Sequence, residues 1–515
     1  MEGSAPVSTL QGRPALRRVD LLTGIGLFAA SVLLSIAGGF AAGLTPYDEA
    51  WFLQVVHRVT SGEVLYRDVF FGVTPLSVQM TAPAVRLFGA EILVIKTVVG
   101  LCFAFSALLV VRVDRQLGGR GFPVLLIVAL LTLGRPEMAP YSGLSTVFLL
   151  ATLSAVLHWQ ESASRVALAA AGLAAGLSFA SKQNLGAYAA AALLASLATV
   201  HPGWRALGRR LVVAGGAFAL AAGLPTVPIW LDGATERFLA DGFLNKVTYL
   251  EHAGVGYLES SIQLVRLLPT LSLWDSLAVA YDLDRYLVPP LAAAALLAAW
   301  FRVDRQRRAP LTVVFVFAAA GVLGVLPRAD TEHMIHAMPL LIVGLAYGLR
   351  EAWPSRTAWK RVGIAALLAW FGFGLAQALM TPAVQVGRGA MRVSTLPHFR
   401  WALIPNATEE DFTARARMLA AAGEQPFLLI PEAGFYYLLT GLRNPTPYDY
   451  PYVTTFGPHG QRDVIASIEQ GRIKTVCFAV RGPIVLRPDE LARYVQEQMT
   501  RGEDAGACTV YHRRG

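Results

Sequence analysis

Asp48 and Glu49 stand side by side at the head of the segment TPYDEAWFLQVVHRVTSGEVLYRDVFFGVTPL, directly after an apolar run. A carboxylate held over a cavity at the water boundary is partly desolvated, which makes it a stronger proton acceptor. The pair also has a plainer use: Asp48 caps a helix that begins at Glu49, and Glu49 favours the positive end of that helix. Further on, Arg67 and Asp68 are adjacent charges in an aromatic stretch. The guanidinium fork of Arg67 suits a phosphate, while two neighbouring surface charges equally make an ion pair of little consequence. Glu137, in RPEMAPYSG, is either an accessory acid, like Asp68, or a solvated turn residue. Lys182, in SFASKQNLGAY, lies between two Ala/Leu-rich runs. An ammonium at membrane depth is costly and by default functional, unless it snorkels to the rim. The densest charged cluster between apolar runs is VLPRADTEHMIHAMPLL, with Arg328, Asp330, Glu332, His333 and His336. Its basic groups and histidines suit a phosphate headgroup. The three-residue spacing of His333 and His336 also puts two metal ligands on one helical face, a weak signal alone.

These residues need a scaffold, and the composition says of what kind. The chain has 515 residues, 55% hydrophobic and only 15% charged, with a mean hydropathy of +0.49. Soluble proteins carry about 25% charged residues. The reading is an all-α polytopic membrane protein; a disordered chain, a disulfide-rich secreted scaffold and a large soluble enzyme are excluded. Apolar runs long enough to be weighed as spans lie near 20–43, 91–112, 122–134, 143–159, 166–181, 184–200, 211–231, 286–301, 310–327, 334–349 and 361–380, which predicts about eleven transmembrane helices. The first run is too long for the apolar core of a cleavable signal peptide. Alternate loops differ in charge. The set 1–20, 112–121, 158–166, 201–211, 302–310 and 350–361 holds 18 Lys/Arg against 6 Asp/Glu. The opposite set, 44–90, 135–142, 182–184, 232–285 and 328–333, holds 10 against 15. The excess of positive charge on cytoplasmic loops then puts the N-terminus inside and, after eleven crossings, the C-terminus outside. It also accounts for the net charge of +9 without nucleic acid. All the candidate residues fall on the outer set, whose long loops are 44–90 and 232–285.

Residues 383–515 change character and predict a small extracytoplasmic α/β domain beside a transmembrane domain over 1–382. PFLLIPE at 426–432 and IKTVCFAV at 473–480 read as buried strands. Residues 408–423 read as a helix capped by Thr408, with Asp411 in the capping box and Gly423 as its stop. RPDELARYVQEQMTR reads as another helix. Cys102 lies in an apolar run and is a core residue. Cys477 and Cys508 can pair if this part lies outside the cytoplasm. The tract NPTPYDYPY offers aromatic rings that would stack on sugars, or a rigid loop.

The segments PYDEAWF…SGEVLYRDVFFGVTPL, SKQNLG, RADTEHMIHAMP and YYLLTGLRNPTPYDY, in this order, resemble the GT-C polytopic glycosyltransferases. These include protein O-mannosyltransferases, lipid A aminoarabinose transferases and a bacterial Rgt-like group. The resemblance covers about 1–350, and the rest more loosely. It implies an inverting transfer from a polyprenyl-phosphate-linked sugar to a hydroxyl of a lipid, glycan or protein, at the outer face of a bacterial-type plasma membrane. It makes Asp48 the catalytic acid that takes the acceptor proton and Glu49 the second member of its motif. By position, Lys182 and Arg328, then Arg67 and His333, would stabilise the donor phosphate; Glu137, Asp68 and Asp330 are accessory acids. No metal set is predicted, although some members of the superfamily use a divalent metal. Two other functions remain open on the residues alone: a lipid-linked sugar transporter, and a non-catalytic membrane protein presenting 383–515.

Overall fold

The computed structural model describes residues 43–119, 140–199, 203–304, 307–353, 358–421, 425–479 and 487–514, with isolated positions between 25 and 37. The expected span at 122–134 and Glu137 lie outside the described residues, as does the larger part of the expected span at 20–43.

The chain is mainly helical. Helix α1 (Asp48–Thr60) carries Asp48 and Glu49 in its first turn and His57 and Arg58 in its last, each on the side the helix dipole favours. It is followed by α2 (Leu76–Phe88), α3 (Ile92–Gln116), α4 (Pro140–Ser162), α5 (Arg165–Ser181), α6 (Gln183–Ala198) and α7 (Trp204–Gly223). Then come α8 (Lys246–His252), α9 (Asp284–Arg302), α10 (Arg308–Val325), α11 (Thr331–Met334), α12 (Met338–Ala352) and α13 (Ala358–Gly387). Among the described residues, four helices are long and apolar enough to cross a membrane: α3, α4, α10 and the run Trp204–Leu231 that contains α7. The runs expected at 166–181, 184–200 and 334–349 do form helices, but of 17, 16 and 15 residues. At 1.5 Å per residue these fall short of a bilayer core of about 30 Å.

Small residues set the packing of the bundle. A Cβ on Gly172 would stand 2.1 Å from the Ala214 carbonyl oxygen, and one on Gly176 would stand 2.4 Å from that of Phe218. This four-residue glycine spacing lets α5 and α7 meet backbone to backbone. At the other end of α5 a single extended residue, Lys182, separates it from α6.

Beyond α13 the chain forms a hairpin of β1 (Met391–Val393) and β2 (Leu403–Pro405), then α14 (Asn406–Ala421), β3 (Phe427–Leu429), α15 (Ala433–Thr440) and α16 (Gly460–Glu469). Next come β4 (Thr475–Phe478), α17 (Asp489–Gln498), β5 (Thr500–Asp504) and β6 (Thr509–His512). The larger sheet runs β3-β4-β6-β5. Its first pair is parallel, with Leu428 opposite Cys477, and the others are antiparallel. The two expected strands and two expected helices are present. The capping detail differs: α14 begins at Asn406, and Asp411 pairs with Arg415 at 2.7 Å one turn on. Cys477 and Cys508 form a disulfide, with Cα atoms 5.5 Å apart, and Cys102 is free and buried. One hydrophobic core joins this region to the segment 50–95: Trp51, Phe52 and Phe71 share a cluster with Phe399, Phe435 and Cys477.

Candidate functional site

Helix α1 positions the site. It begins at Asp48, with Tyr47 at the capping position and no side-chain cap. The expectation that Asp48 caps a helix starting at Glu49 is therefore corrected. Asp48 is a half-buried first-turn residue that lines a cavity of about 530 Å³. Glu49, next to it, does not line that cavity. It is buried against α3, where Lys96 Nζ approaches its Oε1 at 2.9 Å and both side chains are 2% exposed. The tandem acids thus separate: one faces the cavity, the other forms a closed ion pair.

Further along α1, Gln54 and Arg58 bind the C-terminal region. Arg58 donates to Asp449 Oδ2 at 2.8 Å, to the Thr446 carbonyl at 3.1 Å and to the Asp68 carbonyl at 2.8 Å. Gln54 and Asn444 both donate to Asp449 Oδ1, at 3.4 and 2.8 Å. Asp449 is 1% exposed, so this network fixes the segment 444–452 on α1. The consequence for the site is that Tyr450 and Tyr452 join the cavity wall. Burial and then the Asp48 charge push the Tyr450 hydroxyl well above its ordinary value. Trp51, one turn after Asp48, faces the Tyr450 ring at 5.6 Å between centroids.

Basic groups occupy another side of the same cavity. Lys182 reaches it because the break between α5 and α6 turns it inward; its Nζ donates to Ser142 Oγ at 3.0 Å and lies 5.5 Å from the Tyr141 ring centre. Arg328 pairs with Asp330 at 2.6 Å, and Asp330 also accepts the His333 backbone N–H at 2.9 Å and contacts His333 Nδ1 at 2.6 Å. Asp330 is thus the cap of α11 and the link between two cavity residues. Burial pulls the Arg328 guanidinium down, but Asp330, Tyr249 and Asp48 more than offset it and hold the group above its ordinary value. Burial works against the Asp330 carboxylate as well, and its bonds to His333 and the Arg328 charge bring it below the usual range.

The segment 232–285, which the sequence marked only as a long loop, brings two charged residues to the cavity, Asp241 and Lys246. Lys246 starts α8, and Asp241 lies in the π-helical turn just before it. Burial, with Lys246 nearby, pushes Lys182 down to about 8; burial alone does the same to Lys246, against the pull of Asp241. Burial raises Asp241 to about 7. Asp241 and Lys246 are five apart in the sequence, a spacing that marks no common helical face, and the π turn at Ala240–Leu244 has no apolar pattern of its own.

The remaining candidates are elsewhere. Arg67 and Asp68 form an exposed pair at 2.8 Å, with the arginine side chain 53% exposed, and neither lines the cavity. Asp68 instead accepts the Val64 N–H at 2.8 Å and closes a turn. His336 is buried with its ring stacked on Phe103 at 6.2 Å, and neither ring nitrogen has a partner among the described residues. Among those residues no group of three or more His, Cys, Asp or Glu is placed to hold a metal ion.

No family model matches the chain, and no curated protein matches it in sequence. Solved structures do. ArnT from Cupriavidus metallidurans in the apo state is 15% identical, with a TM-score of 0.58 over 95% of this chain and 98% of that one. The same protein bound to undecaprenyl phosphate is 14% identical, with a TM-score of 0.57 over 95% and 97%. The chain has the GT-C fold. Arabinofuranosyltransferase AftD from Mycobacteria shares it at 15% identity and a TM-score of 0.50, over 98% of this chain and 40% of that one. Four of this chain's described helices are long and apolar enough to cross a membrane. Within the fold the cavity gathers an uncapped carboxylate, three long-chain cations and an aromatic wall.

Proposed function

We propose that the protein is an inverting glycosyltransferase that moves a sugar from a polyprenyl-phosphate-linked donor to a hydroxyl acceptor. The observation that carries this reading is the composition of one cavity: Asp48 lines it together with Arg328, Lys182 and Lys246, in a fold shared with ArnT, which was solved with undecaprenyl phosphate bound. The chemistry needs two kinds of group. The Asp48 carboxylate takes the proton from the acceptor hydroxyl as its oxygen attacks the anomeric carbon. The bond from that carbon to the phosphate oxygen breaks, and the phosphate leaves with the electron pair. Its growing charge is met by Arg328, Lys182 and Lys246, with His333 held beside them by Asp330. Phe179, Tyr188, Val325 and Leu326 continue the lining in apolar form and suit an isoprenoid chain.

In this reading Glu49 belongs to the scaffold rather than to the chemistry, Arg67 and Asp68 to a surface turn, and Glu137 remains an accessory acid. The membrane arrangement inferred from loop charge goes with it: about eleven crossings over 1–382, the N-terminus in the cytoplasm, and 383–515 outside a bacterial-type plasma membrane. The disulfide in 383–515 supports that side, because disulfides persist in oxidising compartments. A lipid-linked sugar transporter would collect its polar groups in broken helices at the membrane midplane.

The test is a transfer assay on reconstituted protein, with radiolabelled polyprenyl-phosphate sugars and a crude cell-envelope acceptor pool. Release of free polyprenyl phosphate with label moving to the acceptor is the expected result. Intact donor after exhaustive incubation, for every sugar offered, would overturn the reading.

A further inference from the structure

The cavity is not uniform around Asp48. Lys182, Lys246, Arg328 and His333 supply its cationic wall. Trp51, Tyr450 and Tyr452 line the same cavity as an aromatic cluster around Asp48, while Tyr141 and Tyr249 lie beside the lysines. Asp48 belongs to both, since its charge acts on Arg328 and equally on Tyr450 and Tyr452. If a donor phosphate occupies the cationic wall, the acceptor reaches Asp48 along the aromatic cluster. We infer that the acceptor hydroxyl is carried by a sugar ring, which docks on Trp51, Tyr450 and Tyr452. This rests on the transferase reading above and adds the class of acceptor to it.

The chemistry of the wall supports that choice. A sugar ring presents C–H bonds on its faces and hydroxyls around its rim. Aromatic rings carry negative faces that attract such C–H groups, and tyrosine adds a polar tip for the rim. Here the rings are held rather than loose. Tyr450 and Tyr452 meet edge to face at 4.5 Å between centroids, and the Trp51 ring centre lies 5.6 Å from that of Tyr450 and 5.7 Å from that of Phe71. The Arg58–Asp449 pair at 2.8 Å fixes the backbone next to Tyr450. Thr454 and Thr455 add hydroxyls at the same side. The alternatives fit less well. A phosphorylated lipid headgroup would seek cations, and those are on the cationic wall. A serine or threonine peptide would seek an extended track of backbone partners, whereas this wall offers ring faces and side-chain hydroxyls.

Sugar binding is measured without any donor, by saturation-transfer NMR on the detergent-solubilised full chain. The probes are maltotetraose, cellotetraose, mannotetraose and arabinotetraose. Expected are ring-proton signals from at least one probe, weakened about tenfold in affinity in Tyr452→Ala and retained in Tyr450→Phe, which keeps the ring. Tyr452→Leu, which fills more of the space, gives the same loss if Tyr452→Ala fails to reach the wild-type melting temperature. In the transfer assay Tyr452→Leu raises the acceptor KM and leaves the donor KM unchanged. No signal from any probe with the wild-type protein, an unchanged signal in both Tyr452 variants, or label appearing on a peptide or a phospholipid overturns the inference. Sugar binding by a wild-type protein that consumes no donor would leave the sugar site standing and overturn the transferase reading instead.

Discussion

Two sets of charges meet helix α1, and they are treated in opposite ways. Beneath the cavity, Glu49 is matched to Lys96 and Arg58 to Asp449, in pairs of 2.9 and 2.8 Å that are almost wholly buried. Each carboxylate there has its cation and further hydrogen bonds, so nothing is left over for a ligand. In the cavity the balance is different. Arg328, Lys182 and Lys246 face one another across open volume, and only Arg328 has a carboxylate in direct contact, Asp330, which it shares with His333. Burial makes each ammonium costly, and the lowered values of about 8 for Lys182 and Lys246 express that cost, with Lys246 adding to it at Lys182. An anion relieves it. The comparison teaches that burial and charge do not mark function by themselves; incomplete neutralisation around empty volume does.

The sharpest way to break the comparison is to exchange roles between neighbours on one turn. Asp48→Asn keeps the shape of the residue and removes the base. Transfer should fall by about 10²–10⁴-fold, the usual contribution of general-base catalysis, with the melting temperature in detergent unchanged. Glu49→Gln should do the reverse. It leaves Lys96 buried with only a neutral partner at its carboxylate site, which costs about 3–5 kcal/mol for a broken buried pair. The measurement is thermal unfolding, and the combined Glu49→Gln, Lys96→Met protein should recover much of the loss. If Glu49→Gln unfolds normally but cannot transfer sugar, the closed pair is part of the chemistry and the division between the two sets fails.

How far the sequence showed this division depends on the range of the interactions. The acidic pair, Lys182 and the Arg328 cluster were visible because a charge between apolar runs is rare and conspicuous. Which member of Asp48–Glu49 would face the cavity was not visible. The choice depends on Lys96, 47 residues away on another helix. The Arg67–Asp68 pair read equally as a phosphate clamp or a surface ion pair for the same local reason, and in the structure the two form an exposed pair. Lys246 and Asp241 were missed because their segment is interrupted by a π turn, which has no apolar periodicity to announce it. In the C-terminal region, β3 and β4 were legible as short fully buried apolar runs. Strand β5, TRGED, was not, because it is a mostly exposed edge without an apolar pattern. The fold as a whole was legible through composition and motif order, the span count less so, since several apolar runs became helices shorter than a bilayer needs.

Smaller effects sharpen the picture of the cationic wall. Arg328→Met removes a charge-assisted contact worth about 1.5–3 kcal/mol, so the donor KM should rise by roughly 10–150-fold, with kcat changed less. The same wall gives a pH dependence of known sign. Lys182 and Lys246, both pushed down to about 8 by burial, are charged below that value and neutral above it. Donor affinity should therefore stay level from pH 6 to 7 (about one unit below the midpoint) and weaken as pH rises through about 8. Lys246→Arg, which stays charged, should move that decline upward in pH. A donor KM that is flat through pH 9 in the wild-type protein would show that neither lysine touches the phosphate.

The smallest expected effect is also a test, because it concerns a guanidinium that the sequence ranked just behind Arg328. Arg67 is half exposed, and its 2.8 Å contact is to the residue beside it. Water and salt screen such a pair, and two side chains must be held still to make it, so its net worth is close to nothing. Arg67→Ala should leave both the melting temperature and the donor KM where they were. Asp68→Ala is not an equivalent control, since the Asp68 carboxylate also accepts the Val64 N–H and closes the turn whose carbonyl receives Arg58. It should lower stability while Arg67→Ala does not. A donor KM that rises in Arg67→Ala as it does in Arg328→Met would mean that the phosphate site extends past the cavity rim, and that exposure had been mistaken for idleness.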